Sequence, residues 1–571
     1  MGWPMPWALT PPGAFTERFM SLLNLKKLTV GYVNPSGELI PAVNDVSFHL
    51  KKGETLGIVG ESGCGKSTLA RAILGYCRPG SLIMGGEVLF DGEDILQMSL
   101  SQLRDLRGQR IAMVPQNPLS SLTYHMKVGP QVDEILRIHR GMDSKAARIH
   151  TLELFAGTNL PDPEQIYDRY PHEISGGQRQ RVVIAGALAC QPVLMVLDEP
   201  TTALDTTTEI QVLKLVKDLR KENDMALIYI THDLTLTDYM CENVLVMLDG
   251  KVVEQGRVAN IFKHPQTDYT KMLIAAIPRV DSKSGADAFL PAAGVPQPLL
   301  EVDRLKFRYG QRRSLATIFK PQEEPPAVNN VSFDLEHGET IGLVGESGSG
   351  KSTIANIICG LLTPTTGSII FDSQPINTPA EKRSLDLRRR IQIIFQDPLS
   401  SLNPRHRIET VLTRPLKIFF GFKGQAARDR AVELLEAMEL LPEHLSRFPR
   451  QLSGGQQQRV AIACAFAAKP DLILCDEVTS ALDVSVQAHV LELLKVIQEK
   501  TGVACVFISH DLGVVKQVAN KVIVLQKGVV AEAGPTEDVF AKPTHNYTRL
   551  LLAAALRENH DPIHDYLDSS V

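Results

Sequence analysis

The feature that most constrains this chain is that it says the same thing twice. Gly60-Glu-Ser-Gly-Cys-Gly-Lys66-Ser67-Thr68 returns as Gly345-Glu-Ser-Gly-Ser-Gly-Lys351-Ser352-Thr353. Ser175-Gly176-Gly177-Gln178 returns as Ser453-Gly454-Gly455-Gln456, and Leu197-Asp-Glu-Pro200 as Cys475-Asp-Glu-Val478. Positions 175 and 453, 199 and 477, and 232 and 510 are each separated by 278 residues. One glycine-rich turn arises by chance; an ordered set of such segments repeated in register does not. The chain therefore contains two copies of one unit.

Its 571 residues exceed what one core can organise. The length suggests about four folding units, which two repeats would supply if each has a core and a helical insert. The first repeat is expected over 21–280, a linker over 281–298 and the second repeat over 299–556. Tails are expected at 1–20 and 557–571, with Met20 a candidate start. A second-half insertion at 310–326 follows from spacing: Tyr309 stands 42 residues before Lys351, whereas Tyr32 stands 34 before Lys66.

Composition excludes several classes. No apolar run approaches the ~18 residues of a membrane helix, so any membrane-spanning part must come from other polypeptides. A formal net charge of −5 gives no electrostatic reason to bind nucleic acid. The eight cysteines are scattered, without a CxxC pair or a metal-spaced histidine cluster. They read as buried thiols in a reducing compartment, and Cys64 stands out for lying inside a glycine loop.

Each half alternates apolar strands with helical segments. Thr55–Val59, Val193–Leu197 and Ala226–Ile230 read as strands buried on both faces, the mark of a parallel sheet covered by helices. Ligands of such a sheet collect at the carboxyl ends of its strands. Val244–Val253 reads as a hairpin turning at Asp249-Gly250, with its counterpart turning at Lys527-Gly528.

Both glycine loops match G-x-x-x-x-G-K-[ST]. Gly60, Ser62, Gly63 and Gly65, like Gly345, Ser347, Gly348 and Gly350, let backbone N–H groups converge on phosphates. Lys66 and Lys351 then bring a point charge, Ser67 and Ser352 a hydroxyl for Mg²⁺, and Thr68 and Thr353 complete the loop. Asp198-Glu199 and Asp476-Glu477 end apolar strands. Adjacent residues on a strand point opposite ways, so the two cannot share one role: the aspartates are assigned to Mg²⁺, through water, and the glutamates to the attacking water.

The full order in each half is glycine loop, Gln116 or Gln396, Ser-Gly-Gly-Gln, the Asp-Glu pair, Asp205 or Asp483, then His232 or His510. It resembles the ABC ATPase family over nearly all of both halves. The resemblance implies an α/β fold of two tandem P-loop NTPase cassettes, each a RecA-like core with an antiparallel β subdomain and a helical subdomain. ATP and Mg²⁺ are the implied cofactors. Gln116 and Gln396 would serve both metal and reaction, His232 and His510 the γ-phosphate, and Tyr32 and Tyr309 the adenine. The family's cassettes pair head to tail, which assigns Lys66 to work with Ser453, and Lys351 with Ser175. Ile174 and Val478 are mild departures from the pattern, so two hydrolytic sites are expected.

Gln116-Asn-Pro-Leu-Ser-Ser-Leu122, Gln396-Asp-Pro-Leu-Ser-Ser-Leu402 and the two segments His264-Pro-Gln-Thr-Asp-Tyr and Pro543-Thr-His-Asn-Tyr narrow the resemblance. They are similar to the ATPase subunits of dipeptide, oligopeptide and nickel importers, here fused in one chain. That branch implies two integral membrane permeases, an indirect solute-binding protein, and a peripheral position on the cytoplasmic face of the inner membrane. Soluble translation and DNA-repair members are the rival class. Their long charged linkers, zinc cysteines and coiled-coil insertions are missing from the sequence. No residue names the transported solute.

Overall fold

The computed structural model describes residues 21–34, 37–201, 204–277, 298–309, 325–480 and 482–556. The tails expected at 1–20 and 557–571, the linker short of residue 298, and most of the 310–326 insertion lie outside these residues. The chain forms two compact units, with the main division between Ile277 and Pro278.

In the first unit the central sheet runs, edge to edge, Lys251–Arg257, Asn243–Leu248, Thr55–Val59, Ala226–Thr231, Leu194–Asp198 and Ile111–Val114. All neighbours are parallel except the Lys251–Arg257 edge strand. The strands Thr55–Val59, Leu194–Asp198 and Ala226–Thr231 are buried at every residue. That burial explains their continuous apolar sequence, since neither face meets water. The expected hairpin is present, turning through Asp249 (φ 48°) and Gly250 (φ 78°).

A second, antiparallel sheet is ordered Leu39–Lys51, Ser21–Val33, Ser81–Phe90 and Glu93–Asp94. Helices Val128–Arg140, Ser144–Gly157 and Pro163–Tyr167 form the expected insert. They share an apolar cluster with the helix Gly176–Leu188 through Val132, Leu136, Phe155, Val182 and Ala185. The insert thus has its own packing and still grips the helix that begins with Ser-Gly-Gly-Gln.

The second unit repeats this plan. Its central sheet runs Ile391–Ile394, Leu472–Asp476, Ala504–Ile508, Thr340–Val344, Lys521–Gln526 and Val529–Pro535. Its antiparallel sheet is built from Val328–Leu335, Leu300–Phe307, Thr366–Phe371 and Gln374–Pro375. The insert helices are Ile408–Phe420 and Gly424–Ala437. Among the described residues no helix is long and apolar enough to cross a membrane.

Candidate nucleotide sites

The buried strand Thr55–Val59 delivers its chain directly into the first glycine loop, and helix Lys66–Ile73 leaves it. Gly65 adopts φ 102°, where an added Cβ would stand 2.1 Å from the Ala42 carbonyl oxygen. Gly350 does the same at φ 105°, with the Ala327 oxygen 2.5 Å away. Both the backbone conformation and the space demand glycine. Lys66 Nζ donates to the Gly60 and Glu61 carbonyls at 2.6 and 2.9 Å. Lys351 repeats this with Gly345 and Glu346 at 2.7 and 2.8 Å. Each ammonium is thereby held inside its loop, and burial lowers the Lys351 pKa.

Ser67 Oγ donates to Asp198 Oδ1 at 2.9 Å, and Ser352 Oγ to Asp476 Oδ1 at 2.8 Å. Burial pushes both aspartates above the ordinary carboxylate range, an effect these hydroxyls partly offset. A buried carboxylate beside a hydroxyl and a lysine is an arrangement that added positive charge would relieve.

The Asp-Glu pairs require a correction. Asp198 and Asp476 close their strands, but Glu199 and Glu477 lie beyond them, in the left-handed region at φ 48° and 49°. Strand alternation therefore does not separate the two carboxylates. A backbone reversal does, and it sends each glutamate across to a different set of partners. Gln116 Nε2 donates to Glu199 Oε2 at 2.7 Å, and Gln396 Nε2 to Glu477 Oε2 at 2.7 Å. His232 Nδ1 stands 3.6 Å from Glu199 Oε2, as His510 Nδ1 does from Glu477 Oε2. Non-glycine residues at positive φ are uncommon, and here one occurs twice at the same position.

In the second unit burial alone would lower His510, yet the facing Glu477 raises it overall. Burial alone would likewise raise Glu477, but His510 and Lys351 hold it below its ordinary value.

Tyr32 and Tyr309 come near the loops through Thr68 and Thr353, each hydroxyl pair 3.1 Å apart. Phe307 meets the Tyr309 ring edge-on, with centroids 4.9 Å apart. Ser175 and Ser453 begin helices Gly176–Leu188 and Gly454–Phe466, where each makes a reciprocal capping box with Gln178 or Gln456. Gly177 and Gly455 have a packing reason as well. A Cβ there would lie 2.6 Å from Thr208 Cγ2 or 2.5 Å from Val486 Cγ1. Cys64 is buried, its Sγ 3.8 Å from Lys66 Nζ.

One pair of residues at the site escaped the sequence reading. Tyr269 Oη accepts from the Glu61 backbone N–H at 3.1 Å, and Tyr547 Oη from Glu346 N–H at 3.0 Å. These tyrosines tie the end of each unit to its own glycine loop. Glu254 and Glu532 prepare the tie by accepting backbone N–H groups from Gln266 and Thr267, and from Thr544 and His545. Burial opposes ionisation of Glu532, but these and neighbouring threonine bonds hold it down to about 2. The signal was available, because both pairs recur at the same 278-residue spacing.

Known proteins are similar to this chain over both units. The family model described as ABC transporter matches residues 43–202 and again 328–480. A model described as Oligopeptide/dipeptide transporter, C-terminal region, matches 253–316 and 531–567, the segments that carry Tyr269 and Tyr547. The chain is 41% identical to a glutathione import ATP-binding protein GsiA from Pectobacterium atrosepticum, over 97% of this chain and 91% of that one. It is 40% identical to the Escherichia coli K12 protein of that name, over 94% and 89%. The Salmonella typhimurium protein is 41% identical, over 93% and 89%. With two complete sets of loop, carboxylates, glutamine and histidine, the chain belongs to the ABC transporter ATPases, in their oligopeptide/dipeptide branch, and carries two cassettes.

Proposed function

We propose that this ATPase drives a binding-protein-dependent importer, with both cassettes hydrolysing ATP to power uptake of peptides or related small solutes such as glutathione. The observation that carries the reading is the repeated Gln–Glu–His cluster, 2.7 and 3.6 Å across in each unit. Lys66 and Lys351 bind the β- and γ-phosphates, while loop N–H groups receive the remaining phosphate oxygens. Tyr32 and Tyr309 stack on adenine. Ser67 with Asp198, and Ser352 with Asp476, would hold Mg²⁺, together with Gln116 and Gln396. This donor set is entirely hard oxygen and suits that ion. When bound, Mg²⁺ would supply positive charge to the transferring phosphoryl group.

Glu199 and Glu477 orient and deprotonate the attacking water, and His232 and His510 hold the γ-phosphate end of the site. Gln116 and Gln396 touch these glutamates and lead directly into the turns Pro118–Ser120 and Pro398–Ser401. There Asn117 and Asp397 side chains accept from the Leu119 and Leu399 N–H groups, both at 2.9 Å. In this reading two membrane permeases receive the signal at these turns, with the protein at the cytoplasmic face of the inner membrane. The cassettes occupy 21–280 and 299–556, joined by 281–298.

Affinity purification of the chain from detergent-solubilised membranes should retain two integral membrane proteins. Changing both Leu119 and Leu399 to Asp should abolish solute uptake and leave ATP binding intact. Recovery of ribosomes or DNA instead, or full uptake by the double variant, would overturn the importer reading.

A further inference from the structure

The second unit contains a thiol pair that the first does not. Cys475, the residue before Asp476, and Cys505 lie on neighbouring parallel strands, Leu472–Asp476 and Ala504–Ile508. In the register Cys475 faces Phe507 and Cys505 faces Ile473, so the cysteines are diagonal neighbours on one face of the sheet. Their sulfurs are 3.9 Å apart. Both are buried, Cys475 completely and Cys505 with 7% of its surface open. They border a cavity of about 20 Å³ beneath helix Val484–Thr501, lined also by Phe466, Leu494 and Gln498. The first unit has Leu197 and Leu227 at the matching positions, 278 residues earlier.

We propose that Cys475 and Cys505 are a modification site, closed to a disulfide by peroxide-class oxidants, that switches off the second nucleotide site. The inference rests on the proposed roles of Asp476 and Glu477. Cys505, the more open thiol, attacks one peroxide oxygen, breaking the O–O bond and releasing water as its proton transfers. The resulting sulfenic acid is attacked by the Cys475 sulfur, which forms the S–S bond and expels a second water. Two thiols and one hydrogen peroxide thus give one disulfide and two waters.

A disulfide holds its sulfurs at about 2.05 Å. Closing the gap from 3.9 Å therefore draws the end of Leu472–Asp476 toward its neighbour and takes Asp476 with it. Asp476 is held by Ser352 at 2.8 Å, so the metal-side pair is the first contact disturbed. Glu477 follows in the chain and carries the Gln396 bond.

The test uses the full-length chain treated with graded hydrogen peroxide, then alkylated under denaturing conditions, digested and mapped by mass spectrometry. A peptide pair joined through Cys475 and Cys505, removed by dithiothreitol, is expected. ATPase activity should fall at least two-fold in step with that cross-link and return on reduction. Cys505→Leu, which restores the residue found in the first unit, should retain basal ATPase and lose this reversible component. Cys505→Val provides the same comparison should the leucine disturb folding. Free Cys475 and Cys505 after treatment, a cross-link without loss of activity, or equal reversible inhibition of both variants would each overturn the proposal. If untreated protein lacked ATPase altogether, the proposed roles of Asp476 and Glu477 would fail instead, whatever the mapping showed.

Discussion

The two units keep the same site geometry on scaffolds that have diverged. In the first antiparallel sheet the main strands are 13, 13 and 10 residues long; in the second they are 8, 8 and 6. The first insert is pinned by Asp133, which accepts from Thr151 Oγ1 at 2.6 Å and from Tyr167 Oη. The second insert turns through Pro442–Ser446, where His444 accepts from the Leu441 N–H at 3.0 Å. Its helix Ile408–Phe420 even contains a proline, Pro415. Against this drift, the Ser–Asp, Gln–Glu and His–Glu distances agree between units to 0.1 Å or better. Packing tolerates many solutions, whereas positioned catalytic groups tolerate few.

The most forceful way to break that equivalence is to remove one glutamate at a time. Glu199→Gln and Glu477→Gln keep shape and hydrogen bonding to the glutamine but lose the basic carboxylate. Each should lower ATP hydrolysis by about 10²–10⁴-fold at its own site. Steady-state ATPase of the assembled transporter should be strongly impaired by either change. If Glu199→Gln retained near-full turnover while Glu477→Gln was inactive, the shared geometry would not mean shared activity.

A second comparison lies in the inserts. Asp133→Asn replaces a carboxylate that accepts from two hydroxyls, and burial raises the Tyr167 phenol to about 12 alongside its bond to Asp133. Loss of a satisfied, partly buried acceptor costs about 1–3 kcal/mol. Thermal unfolding should therefore show a lowered first transition with an unchanged second one. A uniform shift of both would show that the inserts are not separately stabilised.

The ties from the chain ends sharpen the likeness instead. Tyr269→Phe and Tyr547→Phe each remove one hydroxyl acceptor from a glycine-loop N–H. A net loss of about 0.5–1.5 kcal/mol per hydrogen bond predicts roughly two- to ten-fold weaker ATP binding. Isothermal titration should find similar losses for both variants. An effect confined to one would make the tie a local accident of packing.

Much of this was legible in the sequence for a physical reason. Strands buried on both faces leave an unbroken apolar signature, so Thr55–Val59 coincides with its expected range and its neighbours shift by a single residue. Phosphate loops need glycine at fixed positions, which makes them conspicuous. The reversal at Glu199 left no such mark. Glutamate has no particular liking for positive φ, and tertiary contacts impose it there. Tyr269 was hidden differently. Its segment was visible as a repeat, yet a tyrosine 208 residues from its partner Glu61 announces no contact. The capping role of Ser175 is local, spanning three residues, but it depends on where the helix begins, which the four residues alone do not fix.

The finest test concerns pH and a pair in the second site whose ionisation is shifted on both sides, Glu477 and His510. His510 is raised by Glu477, so its contribution to stability is full below its unfolded value near 6.5 and is lost as pH climbs through the higher folded value. Glu477 is lowered chiefly against its own burial by His510, so its contribution is full above about 4.5 and is lost as pH falls through the lower folded value. The pair therefore stabilises the second unit fully between the two unfolded values, from about 4.5 to about 6.5. Both side chains are mainly shielded but not sealed, at 31% and 17% exposure, so water weakens the attraction and the effect is small. His510→Gln should flatten the alkaline shoulder of the second unit's melting temperature between pH 6 and 8, while the same change at His232 reports on the first unit independently. An undiminished shoulder in His510→Gln would assign the pH dependence to other groups and leave the 3.6 Å contact without a role in stability.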